Sequence, residues 1–118
     1  MNILILDDDR DLHRYYQAVC KALPNVKKVS TVANGREFEY ALQRHKHHVI
    51  ITDLQMAPTD GDIILLAHKD EIRGVPVVVL SCSDEIQKRA DYMMDKGLNV
   101  VQCLSKPLKP DELYALIG

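Results

Sequence analysis

The stretch "ILILDDDR", residues 3–10, opens with four aliphatic residues and ends them abruptly in three aspartates. A run this short and this apolar, with no polar alternation, suits a strand covered on both faces, as in a parallel sheet. Three further runs repeat the pattern: His48–Thr52, Val75–Leu80 and Asn99–Leu104, all rich in Ile, Val and Leu. A fifth segment, Val26–Ala33, mixes Lys27, Lys28, Ser30 and Thr31 among its valines. It reads as an edge strand, where exposed polar residues discourage pairing with other chains.

Between these runs the apolar residues recur at helical spacing. Leu12, Tyr15, Tyr16, Val19 and Leu23 line one face, with Tyr15 expected in the core and Tyr16 at the rim. Phe38, Ala41 and Leu42 do the same after Asn34 or Gly35, and Ile63, Leu66 and Ala67 after Gly61. Ile86, Ala90, Met93 and Met94 mark a fourth helix, capped by Ser83 or Asp84 and stopped at Gly97. Leu113, Leu116 and Ile117 mark a fifth, after Pro110 and Asp111. Met56, Met93 and Met94 are expected to pack. Five strand–helix repeats predict an α/β domain, a parallel sheet between two helical layers with right-handed crossovers.

A length of 118 residues suits one domain, and 47% hydrophobic content is ample for its core. The net charge of −2 gives no electrostatic case for direct nucleic-acid binding. No apolar run approaches the length of a membrane span, and the first residues do not form a signal peptide. Cys20, Cys82 and Cys103 lie far apart without CxxC spacing, so reduced, buried thiols in a cytoplasmic protein are expected. The "HKHH" stretch, His45 to His48, crosses from a helix end to a strand start, and its histidines are expected at the surface.

In open parallel sheets, functional groups collect beyond the carboxyl ends of the strands. Those positions hold Asp7 and Asp8, Asp53, Ser81, and Ser105 with Lys106 and Pro107. Two carboxylates about 4 Å apart repel by roughly 4 kcal/mol at an effective dielectric near 20, so something must offset them. Clustered carboxylates are the hard oxygen ligands that Mg²⁺ prefers. An aspartate beside the metal can attack a phosphoryl group, and the metal with a lysine then offsets the charge on the equatorial oxygens. A serine hydroxyl can donate to a phosphoryl oxygen.

The chain resembles the receiver domain of two-component response regulators over essentially its full length. The resemblance rests on "ILILDDDR", "VIITDLQMAPTDG", "PVVVLSCSDE" and "CLSKPLKPDEL", in that order and each after an apolar run. It implies a flavodoxin-like (βα)5 three-layer sandwich with strand order 2-1-3-4-5. It also implies a phosphoryl group accepted on Asp53 from a histidine kinase or phosphotransfer protein. Mg²⁺ or Mn²⁺ would be bound by Asp8 and Asp53 directly, by Asp7 through water, and by the Gln55 backbone carbonyl. Lys106 would pair with Asp53, and Ser81 would be the switch hydroxyl. Asp9 falls outside the usual acidic pair and would favour the positive start of the following helix. Asp62 would be a charge at a helix start, and Asp60 part of the loop before it.

Four features depart from the family pattern. Ala57 stands where a proline is usual, with Pro58 one place later, but Gly61 keeps its distance, so a reshaped loop is expected. Cys82 replaces a small alanine. Cys103 replaces an aromatic residue three before the lysine, which puts an aromatic switch in doubt. The segment from Ser81 to Lys106 is a few residues longer than in most receivers. Its text "KGLNVVQCLSKPL" is similar to that of receivers attached to EAL cyclic di-GMP phosphodiesterase domains. The chain is accordingly expected to be the N-terminal receiver, residues 1–118, of a longer regulator with an output domain, and able to form a homodimer.

Two other readings compete. A haloacid-dehalogenase-type phosphatase would use Asp7 and Asp9 as its Asp-x-Asp pair. It then needs another acidic pair ending a later strand, where this chain has only Asp111 and Glu112 at a helix start. A degenerate receiver would keep the fold without phosphorylation, and Ala57 and Cys103 leave that reading open.

Overall fold

The computed structural model describes residues 1–80, 84–106 and 108–117. The chain alternates β1 (Asn2–Leu6), α1 (Arg10–Lys21), β2 (Lys28–Val32), α2 (Gly35–Arg44), β3 (Val49–Asp53), α3 (Gly61–Ala67), β4 (Val77–Leu80), α4 (Asp84–Asp95), β5 (Val100–Leu104) and α5 (Pro110–Ile117). The five strands form one parallel sheet in the order β2-β1-β3-β4-β5. This is the flavodoxin-like order.

Strand alternation divides the core between the two faces. Leu4, Leu6, Ile50, Val77 and Val79 join Phe38, Leu65, Ile86 and Met93 in one cluster. Ile3, Ile5, Ile51, Val78 and Leu80 join Tyr16, Val19, Leu104 and Leu113 in the other. Both clusters touch β1, β3 and β4, which explains why these strands read as continuous apolar runs. Each fully buried aliphatic side chain contributes about 1.5–3 kcal/mol relative to exposure.

Local chemistry sets the helix ends. Asp9 caps α1, its carboxylate accepting the Asp11 N–H, so its role is a specific cap as well as a charge. Asn34 caps α2 through the Glu37 N–H at 2.9 Å. Helix α4 closes where Leu98 N–H donates to Met93 O and Gly97 N–H to Met94 O, with Gly97 at φ 103°. That paired closure is a Schellman motif, and its positive φ favours glycine.

The two sheet edges differ. Strand β2 matches β1 residue for residue over all five positions. Strand β5 slips between Val77 and Val78, so Val101 has no partner on β4 and is 46% exposed. This bulge takes up one residue of the long segment before Lys106.

Four sequence expectations are corrected. Tyr16, not Tyr15, is the core residue of α1, at 1% against 37% exposed. Helix α3 buries Ile64 and Leu65 rather than the face marked by Ile63, which is 57% exposed, and Ala67, because so short a helix meets the sheet over a single turn. Met94 does not pack: it is 42% exposed, while neighbouring Met93 is fully buried, because consecutive helical residues point about 100° apart. His47 is not a surface residue but is 6% exposed, held under the end of α2 by its Nε2 bond to the Ala41 carbonyl at 3.1 Å. That bond makes Nε2 the donor, and the buried Nδ1 has no hydrogen-bond partner among the described residues. Burial lowers the His47 pKa; the Ala41 bond opposes this, and nearby His45, Lys28 and His48 lower it further. The unfolded chain therefore binds the extra proton more readily. Stability is fully present above the unfolded value of about 6.5 and falls as pH drops below it. Urea midpoints measured from neutral to mildly acid pH should decline, and His47→Gln should flatten that decline.

Cys20 is buried, and burial pushes its thiol up to about 11, in line with an inert packing role. Cys103 is half-buried, and Cys82 lies outside the described residues.

Candidate functional site

The β1 and β3 ends lie side by side, with Leu6 in register with Thr52. Asp7 and Asp8 therefore emerge next to Asp53. One carboxylate oxygen from each lies within 4.8 Å of the other two. Asp7 is fully buried, Asp53 is 5% exposed, and Asp8 faces solvent. The sequence holds these acids about fifty residues apart; only the parallel pairing makes them neighbours.

Lys106 answers the charge problem. Its Nζ lies 2.7 Å from Asp53 Oδ2 and 3.1 Å from Asp7 Oδ2, so one ammonium spans both buried acids. Burial pulls the Lys106 pKa down, but the bonds and charges of Asp53 and Asp7 outweigh it and leave the pKa raised. The group stays protonated across the ordinary pH range.

Asp7 has further partners that sequence reasoning did not single out. The Tyr16 hydroxyl donates to Asp7 Oδ2 at 2.8 Å, and the Asp9 N–H to Oδ1 at 2.9 Å. His13 Nε2 lies 2.8 Å from the Asp7 carbonyl. Burial first, then the Asp7 bond and charge, raises the Tyr16 pKa, so the phenol holds its proton and acts as donor. Helical spacing put Tyr16 on the apolar face, at its rim, and carried no sign of its burial or of its hydroxyl's target. Tyr16→Phe should cost about 2 kcal/mol, as for a hydrogen bond to a buried charge, read from the urea midpoint.

The loop after β3 is held from several sides. Gln55 N–H donates to Asp53 Oδ1 at 3.3 Å, Ala57 N–H to Asp8 Oδ2 at 3.1 Å, and Met56 N–H to Asp60 Oδ1 at 3.1 Å. The Ala57–Pro58 peptide is cis. Asp60 caps α3 by position and lies 3.3 Å from Arg89, so it is more than a loop residue. Asp62 is not merely a helix-start charge. Both its oxygens accept from Arg89, at 3.0 and 2.6 Å, and Arg89 also donates to the Leu54 carbonyl at 3.2 Å. One arginine of α4 thus binds α3 to the turn that follows Asp53.

Gly61 has a reason beyond spacing. A Cβ there would lie 1.9 Å from the Asp53 carbonyl oxygen and 2.8 Å from Thr52 Oγ1. The start of α3 can rest against Asp53 only without a side chain.

The structure thus brings together Asp7, Asp8, Asp53 and Lys106, with Gln55 beside them. Ser81, the expected switch hydroxyl, lies outside the described residues, as does Pro107. Asp9 spends its carboxylate on the α1 cap and is absent from the acidic group. The phosphatase reading therefore loses the second acid of its pair. The donor set fits a divalent cation: three hard carboxylate oxygens converge, one of them from a solvent-facing residue that leaves room for coordinated water.

Comparison with known proteins agrees with this site. The family described as "Response regulator receiver domain" matches residues 3–118. Response regulator Rre1 of Synechocystis is 29% identical, the match covering 99% of this chain and 50% of Rre1. Two-component response regulator ARR22 of Arabidopsis thaliana is 28% identical, with 100% of this chain and 82% of that protein covered. A two-component response regulator from Clostridium difficile shares the fold at a TM-score of 0.82 and 20% identity, with 99% and 92% of the two chains covered. The chain spans about half the length of Rre1.

Proposed function

The chain belongs to the response regulator receiver family, a phosphoacceptor module of two-component signal transduction, and from that membership we propose that Asp53 is the residue phosphorylated. The observation that carries this reading is the bond between Asp53 and Lys106 at 2.7 Å beside two further acids.

In the proposed reaction an Asp53 carboxylate oxygen attacks the phosphorus of a histidine kinase's phosphohistidine. A P–O bond forms, the P–N bond breaks, and the histidine nitrogen leaves with the electron pair. The product is an acyl phosphate on Asp53. Mg²⁺ or Mn²⁺, held by Asp8, Asp53 and the Gln55 carbonyl and by Asp7 through water, would offset charge on the phosphoryl oxygens. Lys106, already on Asp53, moves its ammonium to a phosphoryl oxygen, and Ser81 donates its hydroxyl to another. Tyr16 keeps Asp7 oriented through its buried bond.

Phosphorylation adds roughly −1.5 to −2 charge near neutral pH, by analogy with other phosphoresidues. Ser81 and Lys106 would report that charge to α4 and β5. With Cys103 in the aromatic position, the report would not run through an aromatic rotation. The partners we propose are a histidine kinase or phosphotransfer protein and an attached output domain, with homodimerisation as one readout. Rre1, about twice as long as this chain, supports an attached domain. An EAL phosphodiesterase domain is the output favoured by the text before Lys106.

Intact mass after incubation with Mg²⁺ and acetyl phosphate tests the assignment. Wild type should gain one phosphoryl group, and Asp53→Asn should gain none. An adduct that survives in Asp53→Asn and disappears in Asp7→Asn overturns it. No adduct on the folded wild type in the presence of Mg²⁺ makes the domain a degenerate receiver.

A further inference from the structure

The terminal strand β2 borders a groove of about 920 Å³ on the side of the sheet away from β1. Four consecutive β2 residues, Val29 to Val32, line it, and α1 and α2 form its walls. A strand paired on one side only turns its remaining N–H and C=O groups outward, here into an open channel. The other sheet edge is blunted by the bulge at Val101. The β2 edge is regular throughout.

The groove is also positively charged, in a chain whose net charge is −2. Arg10, Arg36 and Arg44 line it against a single acid, Glu37. Glu37 is already engaged by Arg10 at 2.8 Å and by the Ala33 N–H at 2.8 Å. Among the described residues neither Arg36 nor Arg44 has an acidic partner; Arg44 lies 4.5 Å over the ring of Tyr40, which is 56% exposed. Lys28 at the start of β2 contacts His45 on the same wall.

We propose that the β2 edge is a docking site for an extended, acidic segment of a partner protein, which adds to the sheet as a sixth strand. The outward backbone groups supply the main-chain bonds, and the arginines select the partner's charge. A polyphosphate chain or the phosphate backbone of a nucleic acid offers acceptors only along its length and would leave the β2 carbonyls unmatched. A second copy of this chain would bring Arg36, Arg44 and Lys28 against themselves. The proposal does not depend on the role given to Asp53.

The probe is a short acetylated peptide alternating glutamate with valine and threonine, titrated at low salt against the isotopically labelled chain. Amide shifts and hydrogen exchange are followed together. Binding should slow exchange and move shifts at Lys28–Val32. Arg36→Glu/Arg44→Glu should weaken it at least tenfold, while that variant remains folded and takes up phosphoryl groups like wild type. The same peptide with lysine for glutamate should not bind, nor should the acidic peptide with alternate amides N-methylated. Equal binding of the methylated peptide would reduce the site to a charge effect and overturn strand addition. Failure of the acidic peptide to bind, equal competition by an oligothymidylate, or concentration-dependent self-association protecting β2 overturns it too.

Discussion

Gly61→Ala is expected to destabilise the domain by at least about 3 kcal/mol, the upper part of the range for overpacking, and to block phosphoryl uptake. The new methyl would lie 1.9 Å from the Asp53 carbonyl oxygen, which belongs to backbone and cannot rotate aside. Relief requires the start of α3 or the end of β3 to move. The second carries Asp53 away from Lys106, whose bond at 2.7 Å is short, and the first breaks the Gly61 N–H bond to the Leu54 carbonyl at 2.9 Å that ties α3 to the turn after Asp53. Urea unfolding measures the stability, and intact mass measures uptake on the fraction that remains folded. Gly35→Ala is the control: a Cβ there meets Ile64 at 3.5 Å, an ordinary contact, and should leave both readouts near wild type. Equal behaviour of the two variants would remove the close approach at Gly61 as a design requirement.

Lys106→Met should produce the second large effect, in two separable parts. The methionine keeps most of the apolar stem and deletes the cation. Asp7 and Asp53, both buried, then face each other unpaired, a loss of about 3 kcal/mol for a broken buried pair. Phosphoryl uptake should fall about 10²-fold or more, as when one preorganised charge-stabilising donor is removed. A double-mutant cycle separates the parts. Asp53→Asn combined with Lys106→Met should be more stable than the sum of the single effects requires, because the second change removes the charge that the first left unpaired. Strict additivity would show that Lys106 does not stabilise the fold through Asp53.

Much of the fold is legible in one dimension because its causes are local or periodic. The runs at Ile3–Leu6 and Val49–Ile51 are apolar throughout since both sheet faces are covered. Gly97 stops α4 since the closing turn needs a positive φ. The neighbourhood of Asp53 and Lys106 was readable because strand ends in a parallel sheet share one edge. The misread residues had causes that are not local. His47 looks like its exposed neighbours His45 and His48, and only the packing of the α2 end against the start of β3 buries it. Met94 fits the apolar pattern of α4 yet lies just outside the arc that the sheet covers. Asp62 reads as a helix-start charge because its partner Arg89 stands on another helix.

The sequence by itself determined the α/β class, the five strand–helix repeats and the identity of the acidic and basic residues at the strand ends, since hydrophobic period and chain order carry that information. Only the tertiary structure decided which groups neutralise which. It set Lys106 across Asp7 and Asp53, turned the Tyr16 hydroxyl onto Asp7, and left Gly61 no room for a side chain. Those outcomes depend on distances between segments far apart in the chain, and such distances exist only once the sheet has paired.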